Sequence, residues 1–164
     1  MTGLSYPDSL MRRILDETRT IAMVGASANW VRPSNFAMKY LQQKGYRVIP
    51  VNPGNTGTEI HGEPCFATLS DIPHDFEMVD IFRRSEDAGA IVDEGIALKD
   101  ARGIKTVWLQ LGVIDTDAAS RAEAACLTVI MDRCPKIEYG RLNHELAWAG
   151  INTGVISSKR PRLR

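Results

Sequence analysis

Short apolar segments rich in β-branched residues alternate with longer amphipathic segments along this chain, and this alternation constrains the fold more than any other feature. The apolar segments predict buried strands over residues 20–24, 47–51, 79–82, 106–109 and 128–131. The amphipathic segments predict helices over residues 8–18, 34–44, 85–102 and 116–125. Strands and helices that alternate in this way form a parallel sheet, because each helix crosses one face and returns the chain to the same edge.

The residues at the predicted helix ends support this interpretation. Gly45 and Gly103 stand where a left-handed residue would end a helix. Ser85 is expected to be the N-cap of one helix, and Thr116 or Asp115 the N-cap of the next. We therefore expect an α/β protein with a Rossmann-like, doubly wound three-layer sandwich, whose mostly parallel sheet has about five strands.

The length of the chain favours one domain. Of the 164 residues, we expect residues 1–145 to form a single domain and residues 146–164 to form a C-terminal tail. A short amphipathic helix is predicted over residues 142–148, where it would pack on the domain or on a second copy of the chain. The tail is basic at its end, since residues 159–164 carry four positive charges.

Charge and cysteine content narrow the possible partners and environments. The 20 basic and 20 acidic residues balance, so no overall field would draw the protein onto nucleic acid or an anionic membrane. No apolar stretch reaches the ~18 residues of a membrane span. Cys65, Cys126 and Cys134 form no CxxC pair, which favours reduced thiols in the cytoplasm. The three histidines have no metal-ligand spacing, so no metal site is expected.

The turn after the first predicted strand is the strongest candidate for a ligand site. Ligands of open parallel sheets bind at the carboxyl ends of the strands. Gly25, Ala26, Ser27 and Ala28 follow the strand there, and the next helix begins after Arg32, Pro33 and Ser34. A glycine permits a tight turn, and the free N–H groups of a helix start attract phosphate. Arg32 adds a charge that can form forked bonds to phosphate.

This turn lacks the fingerprint of a dinucleotide site. Ser27 and Trp30 stand where a GxGxxG motif would have its second and third glycines. The second strand ends in Asn52 and Pro53, without the carboxylate that would bind the ribose hydroxyls of NAD. The residues therefore favour a phosphate-bearing ligand other than NAD, although a tight turn with no ligand has the same appearance.

The other strand ends are also polar. Phe82, Arg83 and Arg84 follow the third strand, Gln110 and Gly112 the fourth, and Asp132, Arg133 and Cys134 the fifth. Cys134 could be a redox thiol or a packing residue, and Asp80 with Asp132 could form a carboxylate pair if they converged. No pairing of a nucleophile with a base is evident, so no catalytic residue is assigned.

With these residues assembled, the chain resembles the stand-alone CoA-binding protein family, whose domain is similar to the N-terminal domain of the succinyl-CoA synthetase alpha subunit. The motifs appear in family order over roughly residues 10 to 142: Ala22–Ser27, Arg32–Ser34, Val51–Pro53 with Gly57, Glu59–Ile60, Gly62 and Leu69, then Val79–Arg83, Val107–Gly112 and Met131–Pro135. The resemblance implies that the ligand is coenzyme A or an acyl-CoA.

The resemblance also implies a placement for the ligand. The residues from Gly25 to Ala28 would bind the pyrophosphate, and those from Asn52 to Asn55 would lie near the 3′-phosphoadenosine. Phe82 to Arg84 would line the adenine or upper pantetheine region, and the turns at Gln110–Gly112 and Asp132–Cys134 the rest of the rim. Asn55 replaces the lysine of the synthetase subunit, so Arg32, Arg83 or Arg84 would have to neutralise the 3′-phosphate.

The synthetase subunit has a further domain with a phosphorylated histidine, which this sequence does not contain. We therefore expect a protein that binds CoA without catalysis of its own. The alternatives are a subunit of a CoA ligase or transferase that acts with a separate catalytic subunit, and a less favoured NAD(P)-binding oxidoreductase. A homodimer is possible in each case.

Overall fold

The computed structural model describes residues 4–145, and its central element is a five-stranded parallel sheet. The strands are β1 (Thr20–Val24), β2 (Arg47–Val51), β5 (Met78–Ile81), β6 (Thr106–Leu109) and β7 (Thr128–Ile130). Two short strands, β3 (Glu59–Ile60) and β4 (Glu63–Pro64), form a separate antiparallel pair. The sheet order is β2-β1-β5-β6-β7. The order therefore reverses between β1 and β5, which is where open α/β sheets form their ligand crevice.

Five helices cover the two faces of the sheet: α1 (Asp8–Glu17), α2 (Pro33–Gln43), α3 (Ser85–Arg102), α4 (Thr116–Ala124) and α5 (Pro135–Leu142). The buried side chains of α1, α2 and α5 share one apolar cluster, and those of α3 and α4 share the other. The strand residues alternate between the two clusters, since Met78 belongs to the first and Val79 to the second. The expected three-layer sandwich is thus confirmed.

The helix ends agree with the sequence analysis except at the start of α3. Gly103 adopts a left-handed conformation after α3, and Asp115 caps α4 by accepting a hydrogen bond from Ala118 N. Ser85, expected as an N-cap, is instead the first residue of α3, and its hydroxyl accepts a hydrogen bond from Ile114 N at 3.0 Å. The hydroxyl therefore joins the loop after β6 to the start of α3 instead of capping its own helix.

The helix expected over residues 142–148 is misplaced. The structure has α5 over Pro135–Leu142, and residues 143–145 form a turn. The remainder of that prediction, and the predicted tail, lie outside the described residues. Pro135 stands at the first position of α5, where its missing N–H costs no hydrogen bond and its fixed φ suits a helix.

Candidate ligand site at the carboxyl edge of the sheet

The loop after β1, residues 25–32, is here called the glycine loop. Gly25 has φ +87°, and its N–H donates to Val51 O at 2.8 Å. A Cβ atom on Gly25 would lie 2.2 Å from the carbonyl oxygen of Phe82. Two loops that follow neighbouring strands therefore approach so closely at the switch point that only glycine fits between them.

The turn after β2, residues 52–55, is here called the asparagine turn, and it supports the glycine loop from one side. Asn52 Nδ2 donates to Ala26 O at 2.8 Å, and Asn55 Nδ2 lies 3.5 Å from the same oxygen. Asn52 Oδ1 accepts from Gly54 N at 3.0 Å, and an Arg83 guanidinium nitrogen lies 3.5 Å from it. The amide that stands where NAD sites have a carboxylate thus serves to position the backbone of the glycine loop.

Further hydrogen bonds fix the passage into α2. Ser27 Oγ accepts from Asn29 N, and Asn35 Nδ2 donates to Ser27 O at 2.9 Å. His61 Nε2 lies 2.8 Å from Asn35 Oδ1. Ser34 is buried, whereas Ala28, Arg32 and Pro33 are exposed. The glycine loop is therefore held in one conformation by its own contacts.

A cleft of about 810 Å³ opens beside these loops. Its walls come from the first turns of α2 and α5, the segment between β5 and α3, and the loop after β6. Of the predicted site residues, it is lined by Pro33, Phe82, Arg83, Arg84, Gln110, Gly112 and Cys134. Sequence analysis therefore identified part of the cleft lining, and the structure brings those residues together.

A buried carboxyl lies next to the floor of the cleft. Asp80 is fully buried, and its Oδ1 accepts from Gln110 Nε2 at 2.8 Å. Within residues 4–145, Asp80 Oδ2 has no hydrogen-bond partner. Burial raises the pKa of Asp80 to about 7, against the opposing effect of the Gln110 hydrogen bond. The carboxyl is therefore partly protonated near neutral pH.

Cys134 contributes a thiol to the cleft. It is 8% exposed and precedes the first residue of α5. Burial raises the pKa of the Cys134 thiol, although the backbone amide of Ile137 opposes the rise. A thiol with a raised pKa is a poor nucleophile at neutral pH, because little thiolate is present.

Two of the predicted rim residues lie outside the cleft lining. Asp132 Oδ1 accepts from Gly112 N at 2.7 Å and so braces the loop after β6. Arg133 extends toward the N-terminal segment, where its guanidinium donates to Leu4 O and stacks 5.5 Å from the Tyr6 ring. Asp80 is joined to Gln110 and Asp132 to Gly112, so the two carboxylates are held by different groups.

Sequence analysis did not assign six of the cleft-lining residues to the site: Phe36, Ala37, Asp87, Val113, Lys136 and Ile137. Lys136 and Ile137 were missed because α5 was not predicted at this position. The helical spacing places Phe36 on the same face as Ala37 and Leu41, which are buried, yet Phe36 is 51% exposed and borders the cleft. Helical periodicity identifies the face on which a side chain lies, but not whether a neighbouring element covers it.

Two other kinds of site are absent from the described residues. Residues 4–145 contain no cluster of three or more histidine, cysteine, aspartate or glutamate side chains that could hold a metal ion. None of the helices described in this range has the length and apolar character needed to cross a membrane.

Known proteins share both the sequence and the fold. The Bacillus subtilis (strain 168) protein named "Uncharacterized protein YneT" is 33% identical over 129 residues, which are 79% of this chain and 91% of that protein. A Thermus thermophilus structure, cell-free ID.343, is 34% identical with a TM-score of 0.78, and the match covers 84% of this chain and 99% of the other. A hypothetical protein from Pyrococcus horikoshii OT3 is 36% identical with a TM-score of 0.76, covering 85% and 93% of the two chains.

The family comparison agrees with the resemblance found in the sequence motifs. Residues 19–140 match the family described as CoA binding domain. The matched range runs from the start of β1 into α5 and so includes the glycine loop, the asparagine turn and every wall of the cleft. The chain therefore belongs to the CoA binding domain family.

Proposed function

We propose that this protein binds coenzyme A, or an acyl-CoA, along the carboxyl edge of its sheet and performs no catalysis of its own. The observation that carries the proposal is that a polar surface and a cleft adjoin where the strand order reverses. The glycine loop and the asparagine turn form the polar surface, and the cleft of about 810 Å³ lies beside them. Arg83 lines the cleft and its guanidinium also lies 3.5 Å from Asn52 Oδ1. CoA is divided in the same way: its charged phosphates suit the polar surface, and its long, mostly neutral pantetheine arm suits the cleft.

The pyrophosphate is assigned to the glycine loop. Ala26, Ser27 and Ala28 would present backbone N–H groups to it, as would Ser34 at the start of α2. Gly25 and Pro33 would border the pyrophosphate without donating, since the Gly25 N–H is bound to Val51 O and proline has no N–H. Within residues 4–145, the N–H groups of Ser27 and Ala28 make no hydrogen bond to another protein group. The exposed Arg32 would add positive charge at this position.

The 3′-phosphoadenosine is assigned to the asparagine turn, Asn52 to Asn55, with Arg83 as the cation that meets the 3′-phosphate. Arg83 is favoured because its guanidinium already lies 3.5 Å from Asn52 Oδ1. Arg84 is less suited, since its guanidinium pairs with Glu86 at 2.8 Å and Asp87 at 3.2 Å. Phosphate binding by Arg83 would compensate for the neutral Asn55.

The pantetheine arm is assigned to the cleft between Phe82 and the floor at Gln110 and Cys134. Gln110 is 5% exposed and its side-chain nitrogen donates to Asp80, and its carbonyl oxygen can accept from a pantetheine amide. Gly112 would border the arm, while Asp132 and Arg133 would support the rim. Binding without catalysis is proposed because no pairing of a nucleophile with a base is evident among the site residues, and burial also raises the pKa of the Cys134 thiol.

Isothermal titration calorimetry with CoA, dephospho-CoA and NAD tests this assignment. We expect CoA to bind, dephospho-CoA to bind about tenfold more weakly because one charge-assisted contact is lost, and NAD to show no binding. Binding of NAD without binding of CoA would refute the proposal. Equal affinity for CoA and dephospho-CoA would leave CoA as the proposed ligand but would contradict the assignment of Arg83 to the 3′-phosphate.

The subunit alternative predicts a different behaviour. A non-catalytic subunit of a CoA ligase or transferase would form a stable complex with a separate catalytic chain, and CoA turnover would appear only in that complex. Purification from native cell extract followed by an assay for CoA thioester formation distinguishes the two. Turnover in a purified complex would replace the simple binding function, whereas CoA binding by the chain alone with no turnover supports it.

A further inference from the structure

Exposed apolar side chains are concentrated at one edge of the molecule. In residues 4–145, the large apolar side chains that remain exposed are Trp30, Val31, Phe36, Leu111, Ile114 and Ile137. Each lies in a loop that follows a strand or in the first turn of the next helix, so all of them are at the carboxyl edge of the sheet. The described surface elsewhere has no such group, which makes this edge the place where an apolar partner would remove the most surface from water.

Three of these side chains are walls of the cleft. Phe36 projects from α2, Ile137 from α5 and Leu111 from the loop after β6, and they are 51%, 38% and 56% exposed. They border a concave recess, a shape that fits a flexible chain better than the surface of a folded protein. Trp30, Val31 and Ile114 lie outside the cleft lining.

The pantetheine arm of free CoA accounts for only part of these apolar walls. With the phosphates at the glycine loop and the asparagine turn, the arm would enter the cleft with its amides, its thiol and the short apolar links between them. Phe36, Leu111 and Ile137 give the same cleft three exposed apolar side chains. A ligand with an apolar group attached to the sulfur would cover more of them.

We infer that the preferred ligand is a CoA thioester with an apolar acyl group, and that this group lies against Phe36, Leu111 and Ile137. The inference rests on the proposed function and adds the class of CoA derivative to it. Lys136 also lines the cleft, and its ammonium lies over the Tyr40 ring, 5.1 Å from the centroid. A thioester would gain the phosphate and pantetheine contacts of the proposed CoA site, which a free fatty acid lacks.

The test is a calorimetric series with CoA, acetyl-CoA, butyryl-CoA and hexanoyl-CoA. The affinity relative to CoA is expected to rise about twofold to fourfold for each methylene that becomes buried. Phe36→Ala and Ile137→Ala are expected to flatten this rise. Ile114→Ala is the matched control, because Ile114 is 46% exposed on the same edge but outside the cleft lining, and it should retain the rise of the wild type.

The outcomes separate this inference from the proposed function. Failure of CoA itself to bind refutes the proposed function, whereas CoA binding with no gain from the acyl chain refutes only the inference. Hexanoate binding as tightly as hexanoyl-CoA would also overturn it. If sedimentation velocity shows a dimer that Phe36→Ala and Ile137→Ala dissociate, and the acyl series is flat in the wild type, the apolar walls are an interface between two copies instead.

Discussion

The two halves of the carboxyl edge are built in different ways. In the half that follows β1 and β2, the polar groups bind one another: Asn52 and Asn55 contact Ala26 O, and Asn35 binds Ser27 O. In the half that follows β5 and β6, a cleft of about 810 Å³ has apolar walls and a buried carboxyl near its floor. The first half is a rigid support, and the second is an open space.

This difference matches what each half would have to bind. Phosphate groups are recognised by donors held at fixed positions, so the loops that meet them gain from preorganisation. An acyl or pantetheine chain has many conformations and few charges, so a recess with apolar walls suits it. Arg83 belongs to both halves, because it lines the cleft and reaches the asparagine turn.

The largest expected effect tests the rigid half. Gly25→Ala places a Cβ 2.2 Å from Phe82 O in a backbone with φ +87°, so the loop must move or the strand ends must separate. We expect a loss of about 3 kcal/mol in the free energy of unfolding, measured by urea denaturation. CoA affinity should fall as well, since the glycine loop would be displaced.

Gly57→Ala is the matched control for this substitution. Gly57 has φ +81°, similar to Gly25, but a Cβ there would meet nothing within 4 Å. Only the cost of the left-handed backbone applies, about 1 kcal/mol. Equal losses in the two variants would show that the approach of the two loops contributes nothing, and that the first half is less rigid than described.

The second effect tests the open half through the pH dependence of stability. Burial raises the pKa of Asp80 from 3.8 to about 7, so between these values the folded protein holds a proton that the unfolded chain releases. The contribution of Asp80 to the free energy of unfolding therefore falls by about 1.4 kcal/mol per pH unit as the pH rises from about 4 to 7. It is flat above and below that range.

Asp80→Asn removes this titration, and its side-chain oxygen can still accept from Gln110. We expect the variant to equal the wild type in stability near pH 4 and to become progressively more stable than the wild type up to pH 7, as measured by urea denaturation across that range. Other groups titrate in both proteins and cancel in the difference. A difference that does not change with pH would mean that Asp80 is charged in the folded protein and that its surroundings are more polar than the structure shows.

The third effect tests the residue shared by both halves. Arg83→Ala is expected to weaken CoA binding about tenfold and dephospho-CoA binding by less than twofold, since only CoA carries the 3′-phosphate. Arg121→Ala is the control, because Arg121 pairs with Asp93 and lies outside the cleft lining. That control should retain the affinity for CoA and for dephospho-CoA. If Arg83→Ala lowers the affinities for CoA and for dephospho-CoA equally, Arg83 contacts the pyrophosphate instead of the 3′-phosphate.

The sequence predicted the rigid half better than the open one, and the reason is physical. The five strands of the parallel sheet were predicted within one residue because both of their faces are buried, which produces continuous apolar segments. The two-residue strands β3 and β4 were not predicted. Gly25 was identified as a tight turn, but its contact with Phe82 O depends on how two strands pair and is not encoded locally. The cleft needs the start of α5, a helix of eight residues that begins with a proline and has little amphipathic pattern. Predicting the cleft walls therefore required α5, a helix that hydrophobic periodicity alone does not reveal.

The smallest effect compares two cysteines, one inside the open half and one outside it. The place of Cys126 just before the last strand predicts a core residue, but this prediction is wrong, because Cys126 is exposed. Cys134 is 8% exposed, and burial raises the pKa of its thiol. At neutral pH we expect iodoacetamide to label Cys126 first and Cys134 slowly, as followed by mass spectrometry of peptides. Saturating CoA should slow the labelling of Cys134 further and leave the labelling of Cys126 unchanged, because Cys134 lines the cleft and Cys126 does not.

Cys126→Ser should remove the fast phase of labelling without changing the slow one. Protection of Cys126 by CoA, or labelling of Cys134 that CoA does not slow, would place the ligand elsewhere than in the open half.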